Sequence, residues 1–194
     1  SQSEGTTPMP FTVTLSSPVQ SGVTLAVNST PGSAASPADF TAISGTVTFE
    51  PNSNAAQTVN VTIAGDALDE DDEQFTLTLS GLTATGNVTL PTGTATATGT
   101  IQDDDATPTL SVANVTQPEG NASNTLTFTA TLSAISGRAV TFTRATQDGS
   151  AVSTGPNADF VALSAAGVTI PAGTQSVPIA VTINGDTEVE ANET

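Results

Sequence analysis

The sequence predicts an all-β protein made of tandem antiparallel β-sandwiches. Three observations carry this. Apolar and polar residues alternate with period two in segment after segment, no stretch combines helical spacing with a cap, and the chain repeats itself after about 120 residues.

The strands follow in order. In the first half they are "FTVTL" (11–15), "VTLAV" (23–27), "VNVTI" (59–63), "FTLTL" (75–79) and "TATATGTI" (94–101). In the second half they are "TLSVANV" (109–115), "LTFTATL" (126–132), "VTFTR" (140–144) and "VPIAVTI" (177–183). Each is short and bounded by Gly, Pro, Asn or Ser, as half-buried antiparallel strands are. Pro178 has no N–H for a ladder, which places its strand at a sheet edge.

The repeat sets the domains. Glu4-Gly5 answers Glu119-Gly120, "ADFTAISGTVTF" answers "ADFVALSAAGVTI", and "VTIAGD" ending at Asp66 answers "VTINGD" ending at Asp186. The expected division is a first domain at 1–105, a short linker at 106–108 containing Pro108, and a second domain at 109–194. Each is a sandwich of about 100 residues, for which seven strands are usual. The copies are cut at different phases: the first lacks an opening strand and the second its last two. That phase predicts an interior stretch of a longer repetitive chain, completed by continuation or by a neighbour.

Composition narrows the function. Lys plus Arg total 2 against 19 Asp plus Glu, a formal charge of −17. Nucleic acid and anionic membrane are disfavoured partners, because neither phosphate nor headgroup would be neutralised. Cations are favoured. The absence of Cys removes disulfides and thiolate chemistry, and the absence of His removes the commonest general base and zinc ligand. No apolar run reaches the ~18 residues of a membrane span, so no insertion is expected. A targeting segment is expected to lie outside the given residues. Cys-free, Lys-free chains of this kind suit a bacterial secreted or cell-surface location.

The acids are concentrated. Six carboxylates fall between Asp66 and Glu73, and the Asp-x-x-x-Glu-x-x-Glu spacing of Asp66, Glu70 and Glu73 recurs at Asp186, Glu190 and Glu193. Strand parity delivers Glu4, Asp39, the Asp66 loop and the triplet Asp103, Asp104, Asp105 to one end of the first sandwich. Like charges so crowded repel unless something neutralises them. Ca²⁺ accepts six to eight oxygens in irregular geometry from several loops, whereas Mg²⁺ demands a strict octahedron and zinc prefers His or Cys. A single acidic run is more often a solvated loop. Its repetition, with a separate Asp triplet at the same end, favours the ion.

These motifs together resemble the Calx-beta domain family. The elements are Glu-Gly after the first strand, "DGSA" (148–151), Asp159-Phe160, "GVTIPAG", the strand into "GDTEVEANE", and the closing "DDD" of the first copy. The resemblance implies immunoglobulin-like sandwiches that bind several Ca²⁺ ions at one tip. The implied ligands are Glu4, Asp39, Asp66, Glu70, Glu73, Asp103, Asp104 and Asp105, then Glu119, Asp159, Asp186, Glu190 and Glu193. Two departures stand out. Gly65 and Gly185 occupy places where many members carry a further Asp, and Pro31 replaces the Asp of "DGSA" in the first copy.

The expected role is a calcium-rigidified stalk, adhesin or filament segment of a long extracellular protein. Its partners would be neighbouring repeats or fibre subunits and a cell-surface or matrix target. The alternative is a calcium-sensing regulatory module of a larger protein. Thr ladders such as "TATATGT" raise a carbohydrate- or ice-binding face, but Thr is also simply a good strand former at solvent positions. Catalysis is not expected: the carboxylates are crowded and lack a nucleophile or aromatic subsite.

Overall fold

In the computed structural model, β3 (Val23–Pro31) shows how the alternation is used: Val23, Leu25 and Val27 are 0%, 4% and 3% exposed while the residues between them are not buried. Residues 1–5, 8–90 and 95–194 are described, and Thr94, the first residue of the "TATATGTI" strand, lies outside them. Among the described residues there is no helix. The chain divides into two units, Ser1–Ala67 with Asp71–Asp105, and Leu68–Glu70 with Ala106–Thr194.

The first unit is a sandwich of two sheets. Its other strands are β1 (Gln2–Ser3), β2 (Pro8–Val13), β4 (Ser44–Phe49), β5 (Gln57–Thr62), β6 (Glu73–Ala84) and β7 (Thr96–Gln102). One sheet has the order β1-β7-β6-β3-β4, and the other pairs β2 with β5. Met9, Val59 and Val61 of the small sheet share the core with Val47, Phe49, Phe75, Leu77 and Ile101 of the large one. At its centre Phe40 stacks on Phe75 with ring centroids 4.5 Å apart, and Phe11 meets Phe75 edge-on at 5.9 Å. Gly99, paired with Phe75 across β6 and β7, leaves the room this ring fills: a Cβ there would collide with it. The sequence pattern gives no strand before Glu4, because two residues carry no alternation. The structure adds β1 there, in parallel with β7.

The second unit contains β8 (Leu110–Val112), β9 (Asn124–Leu132), β10 (Val140–Arg144), β11 (Ala166–Ile170) and β12 (Ser176–Ile183). Its sheets are β12-β9-β8 and β10-β11. Pro178 lies opposite Thr129 on β12, which is an edge strand of its sheet, the position where a residue without an N–H is tolerated. Ala130, Leu132, Phe160, Ile170, Ile179 and Val181 form the buried core. The opening strand is shorter than its sequence suggests, since Val112 is 51% and Val115 39% exposed and neither gains core contact.

One clasp recurs in both units. Phe40 bridges Ile63 while Ala64 N–H donates to the Asp39 carbonyl at 2.9 Å; Phe160 bridges Ile183 while Asn184 N–H donates to the Asp159 carbonyl at 2.8 Å. The "ADF" loop is thereby fastened to the strand that delivers Gly-Asp.

Candidate cation sites

Three separated segments meet at one end of the first unit. Glu4 follows β1 and its N–H donates to the Gln102 carbonyl at 3.1 Å, which fixes it beside the end of β7. Asp66 arrives from β5 and Asp105 from β7. Carboxylate oxygens of Glu4, Asp66 and Asp105 all lie within 4.8 Å of one another. Close by in sequence, Asp103 Oδ1 is shielded from solvent and meets no hydrogen-bond donor among the described residues. A shielded carboxylate oxygen with no donor is costly until a cation or a donor meets it.

Asp39 and Glu73 form a second pairing, again with oxygens within 4.8 Å. Asp39 Oδ2 accepts from Ala35 N–H at 2.5 Å, so its loop is held by its own side chain. Glu70 lies in Leu68–Glu70, which belongs to the second unit. Asp104 is exposed and joins none of the carboxylate groups found among the described residues.

In the second unit Asp159, Glu190 and Glu193 converge within 4.8 Å, and so do Asp186, Glu188 and Glu190. Glu190 is common to both groups. Asp159 Oδ2 accepts from Val152 N–H at 2.6 Å, repeating the arrangement at Asp39. Glu119 joins neither group, but its charge acts on both Glu190 and Glu193. Loss of hydration, then the charges of Asp186, Asp159, Glu119 and Glu193, raises the Glu190 pKa above the ordinary carboxylate value. Glu193 is raised for the same first reason, then by the charge of Asp159 and a hydrogen bond with it.

Glu188 is the residue the spacing missed. It stands two positions after Asp186, outside the Asp-x-x-x-Glu-x-x-Glu frame. A turn brings it in: Glu188 N–H donates to Asp186 Oδ1 at 2.7 Å, and Asn157 Nδ2 donates to Glu188 Oε2 at 3.1 Å.

Gly65 and Gly185, where the resemblance leads one to expect a further Asp, have a steric reason. A Cβ on Gly65 would lie 2.5 Å from the Gly5 nitrogen and 2.7 Å from its Cα. A Cβ on Gly185 would lie 2.5 Å from the Gly120 carbonyl oxygen and 2.6 Å from that of Ala122. In both units the Gly-Asp loop runs against the backbone of the Glu-Gly turn, so no side chain fits.

The donor set is all oxygen, anionic and contributed by several loops. It fits a hard cation with flexible coordination, as Ca²⁺ is, and offers nothing to a metal that wants nitrogen or sulfur.

The Calx-beta domain model matches residues 1–105 and again 106–194. Solved structures similar to the chain include CBD12 from CALX1.2, 16% identical, with 94% of this chain and 71% of that one covered at a TM-score of 0.49. The calcium binding domain CBD12 of CALX1.1 is likewise 16% identical, covering 95% and 72% at a TM-score of 0.49. The apo-form Calx CBD1 domain is 23% identical, covering 54% and 88% at a TM-score of 0.48. Comparison with curated proteins finds no match. With the family model matched over both halves, this chain belongs to the Calx-beta domain family and carries two copies in tandem.

Proposed function

We propose that this chain is a calcium-binding structural repeat, a segment of a long extracellular stalk, adhesin or filament that Ca²⁺ stiffens. The observation that carries the reading is the convergence of Glu4, Asp66 and Asp105 from three segments, with Asp103, two positions before Asp105, keeping an Oδ1 that is shielded and meets no donor among the described residues. Family membership supports the choice of Ca²⁺.

Glu4, Asp66, Asp103 and Asp105 would hold ions at the first tip, with Asp39 and Glu73 as a neighbouring pair. Asp159, Asp186, Glu188, Glu190 and Glu193 would do so in the second. The ion supplies charge neutralisation, and the chain supplies loops already fastened at Asp39 and Asp159. Lack of Lys and Cys, a net charge of −17 and abundant Thr suit exposure outside a cell.

Thermal melts in EDTA and in millimolar Ca²⁺, with calorimetric titration, test the reading. Affinity near 10⁻⁴ M or tighter is expected of an extracellular module. Equal melting temperatures in the two buffers would end it.

A further inference from the structure

Two bonds of this chain are open in principle to an arginine-directed endopeptidase, because its residues include no Lys and only two Arg, Arg138 and Arg144. Arg144 is the last residue of β10 and faces Ala166 in the ladder with β11. Beyond it Thr146 N–H donates to the Leu163 carbonyl at 3.2 Å, so that stretch is tied down. Arg138 lies instead in the loop between β9 and β10, with its side chain 42% exposed and Ala139 after it. The fold does not require a cation at this place. In the first unit Ser21 stands two residues before β3, as Arg138 stands two before β10.

A serine endopeptidase of this specificity takes hold of a loop in two ways. A carboxylate at the base of its specificity pocket binds the guanidinium. Its cleft also hydrogen-bonds the backbone before the cut, as an added strand would be bonded. In this fold both handles are already taken. The Asp69 carboxylate pairs with Arg138 Nη2 at 2.5 Å, the contact that the protease pocket would have to replace. Gly137 N–H donates to the Asp69 carbonyl at 3.1 Å, and the Ser136 carbonyl accepts from Gly173 N–H at 2.9 Å. Glu70 lies across Gly137 so closely that a Cβ there would collide with its side chain. Leu68–Glu70 and the loop belong to the same unit.

We propose that Arg138–Ala139 is a guarded processing bond for an arginine-specific serine endopeptidase, and that Leu68–Glu70 is its guard. Hydrolysis breaks the C–N bond between the two residues. Water supplies the hydroxyl that ends on the Arg138 carbonyl carbon and the proton that ends on the Ala139 nitrogen. The product is a nicked but assembled protein. β9 precedes the cut and β12 follows it, and these strands pair from Thr131 with Ser176 to Asn124 with Ile183, so the halves stay joined. The guard sets the rate. When opening and closing are fast, cleavage follows the fraction of molecules whose loop is released. Each hydrogen bond to a charged group that must break first lowers that fraction about 10- to 100-fold.

The test uses the full chain in EDTA, which keeps its outcome apart from the calcium reading. Trypsin is the probe, and mass spectrometry locates each cut. A synthetic peptide of residues 132–143 gives the unguarded rate. The native chain is expected to be cut after Arg138 about 100-fold more slowly than the peptide, or slower still, with the nicked halves eluting together until denatured. Asp69→Asn keeps the shape of the segment and removes its charge. It is expected to speed this cut about 10-fold while leaving the cut after Arg144 unchanged. Glu70→Ala, which leaves the ion pair in place, is expected to speed it less. Cutting of the native chain at the peptide's rate overturns the proposal, and so does an Asp69→Asn rate equal to the native one. Faster cutting after both arginines in Asp69→Asn also overturns it, because the whole unit would then be opening and the segment would guard no particular bond. Halves that separate without denaturant would make the cut a degradation, and that result overturns it too.

Discussion

Asp69 and Arg138 form an ion pair of 2.5 Å in the second unit, although 69 positions separate them in sequence. Asp69 is only 4% exposed, and its carboxylate also accepts from Thr107 Oγ1 at 3.1 Å and Ser136 Oγ at 3.2 Å. Its carbonyl accepts from Gly137 N–H at 3.1 Å, so Leu68–Glu70 is held by side chain and backbone together. Every buried oxygen here has a donor, the condition under which a buried acid is tolerated.

The Arg138 hydrogen bond, then those from Thr107 and Ser136 with the guanidinium charge, outweighs burial and holds the Asp69 pKa below its ordinary value. A lowered folded-state pKa contributes stability that is present above the unfolded value near 3.8 and is lost as pH falls through the folded one. Asp69→Asn is therefore expected to melt below the native chain at pH 7, with the gap closing as pH falls below about 4. Melts of both proteins in EDTA across that range check this. A gap independent of pH would show that shape rather than charge holds the segment.

Glu190 has the opposite sign. Its raised pKa means that its contribution is present below the unfolded value near 4.5 and is lost as pH rises through the folded one. Without metal, Glu190→Gln is expected to raise the melting temperature at neutral pH by removing the most contested charge of the cluster. With Ca²⁺ the same substitution is expected to lower it, because a ligand is lost. A shift of the same sign in EDTA and in Ca²⁺ would count against a cation site there.

At the first tip, Asp66→Asn and Asp105→Asn are each expected to abolish most of the calcium-dependent rise in stability. That rise is about 2.7 kcal/mol at 100-fold saturation. Asp104→Asn is the control: exposed and outside the group, it is expected to leave the rise intact. Differential scanning calorimetry with and without Ca²⁺ separates the three. Equal loss for all would mean that overall charge is being read.

Gly65→Ala is expected to destabilise the first unit by about 1–3 kcal/mol in EDTA and Ca²⁺ alike, because the new methyl meets backbone that cannot swing aside. Gly65→Asp is expected to do the same without tightening calcium. Urea denaturation measures the cost, and calorimetric titration the affinity. A tighter ion in Gly65→Asp would show that the loop can open.

The fold was legible because alternation is a direct imprint of a sheet with one buried face, and because the repeat tells the same story twice. Strand ends were less so: β8 stops at Val112 where nothing apolar remains to cover it, and β1 is too short to alternate. Within the acids, the triplet reads as one unit, yet successive strand-like residues point opposite ways. Asp103 and Asp105 are half-buried and Asp104 is exposed. Glu188 depends on a turn closed by the Asp186 side chain, which no spacing rule encodes. Gly65 and Gly185 read as lost ligands, whereas their contacts make them places where two backbones touch.

The clasp that ties Asp39 to Ala64 and Asp159 to Asn184 decides when the work of assembling each cup is done. Backbone bonds hold these loops together before any ion arrives, so the cluster is loaded like a compressed spring, with repulsion stored against a fixed frame. An arriving cation would release that tension rather than gather loose loops. Its capture would then be timed by the shedding of its own water, not by folding of the protein around it.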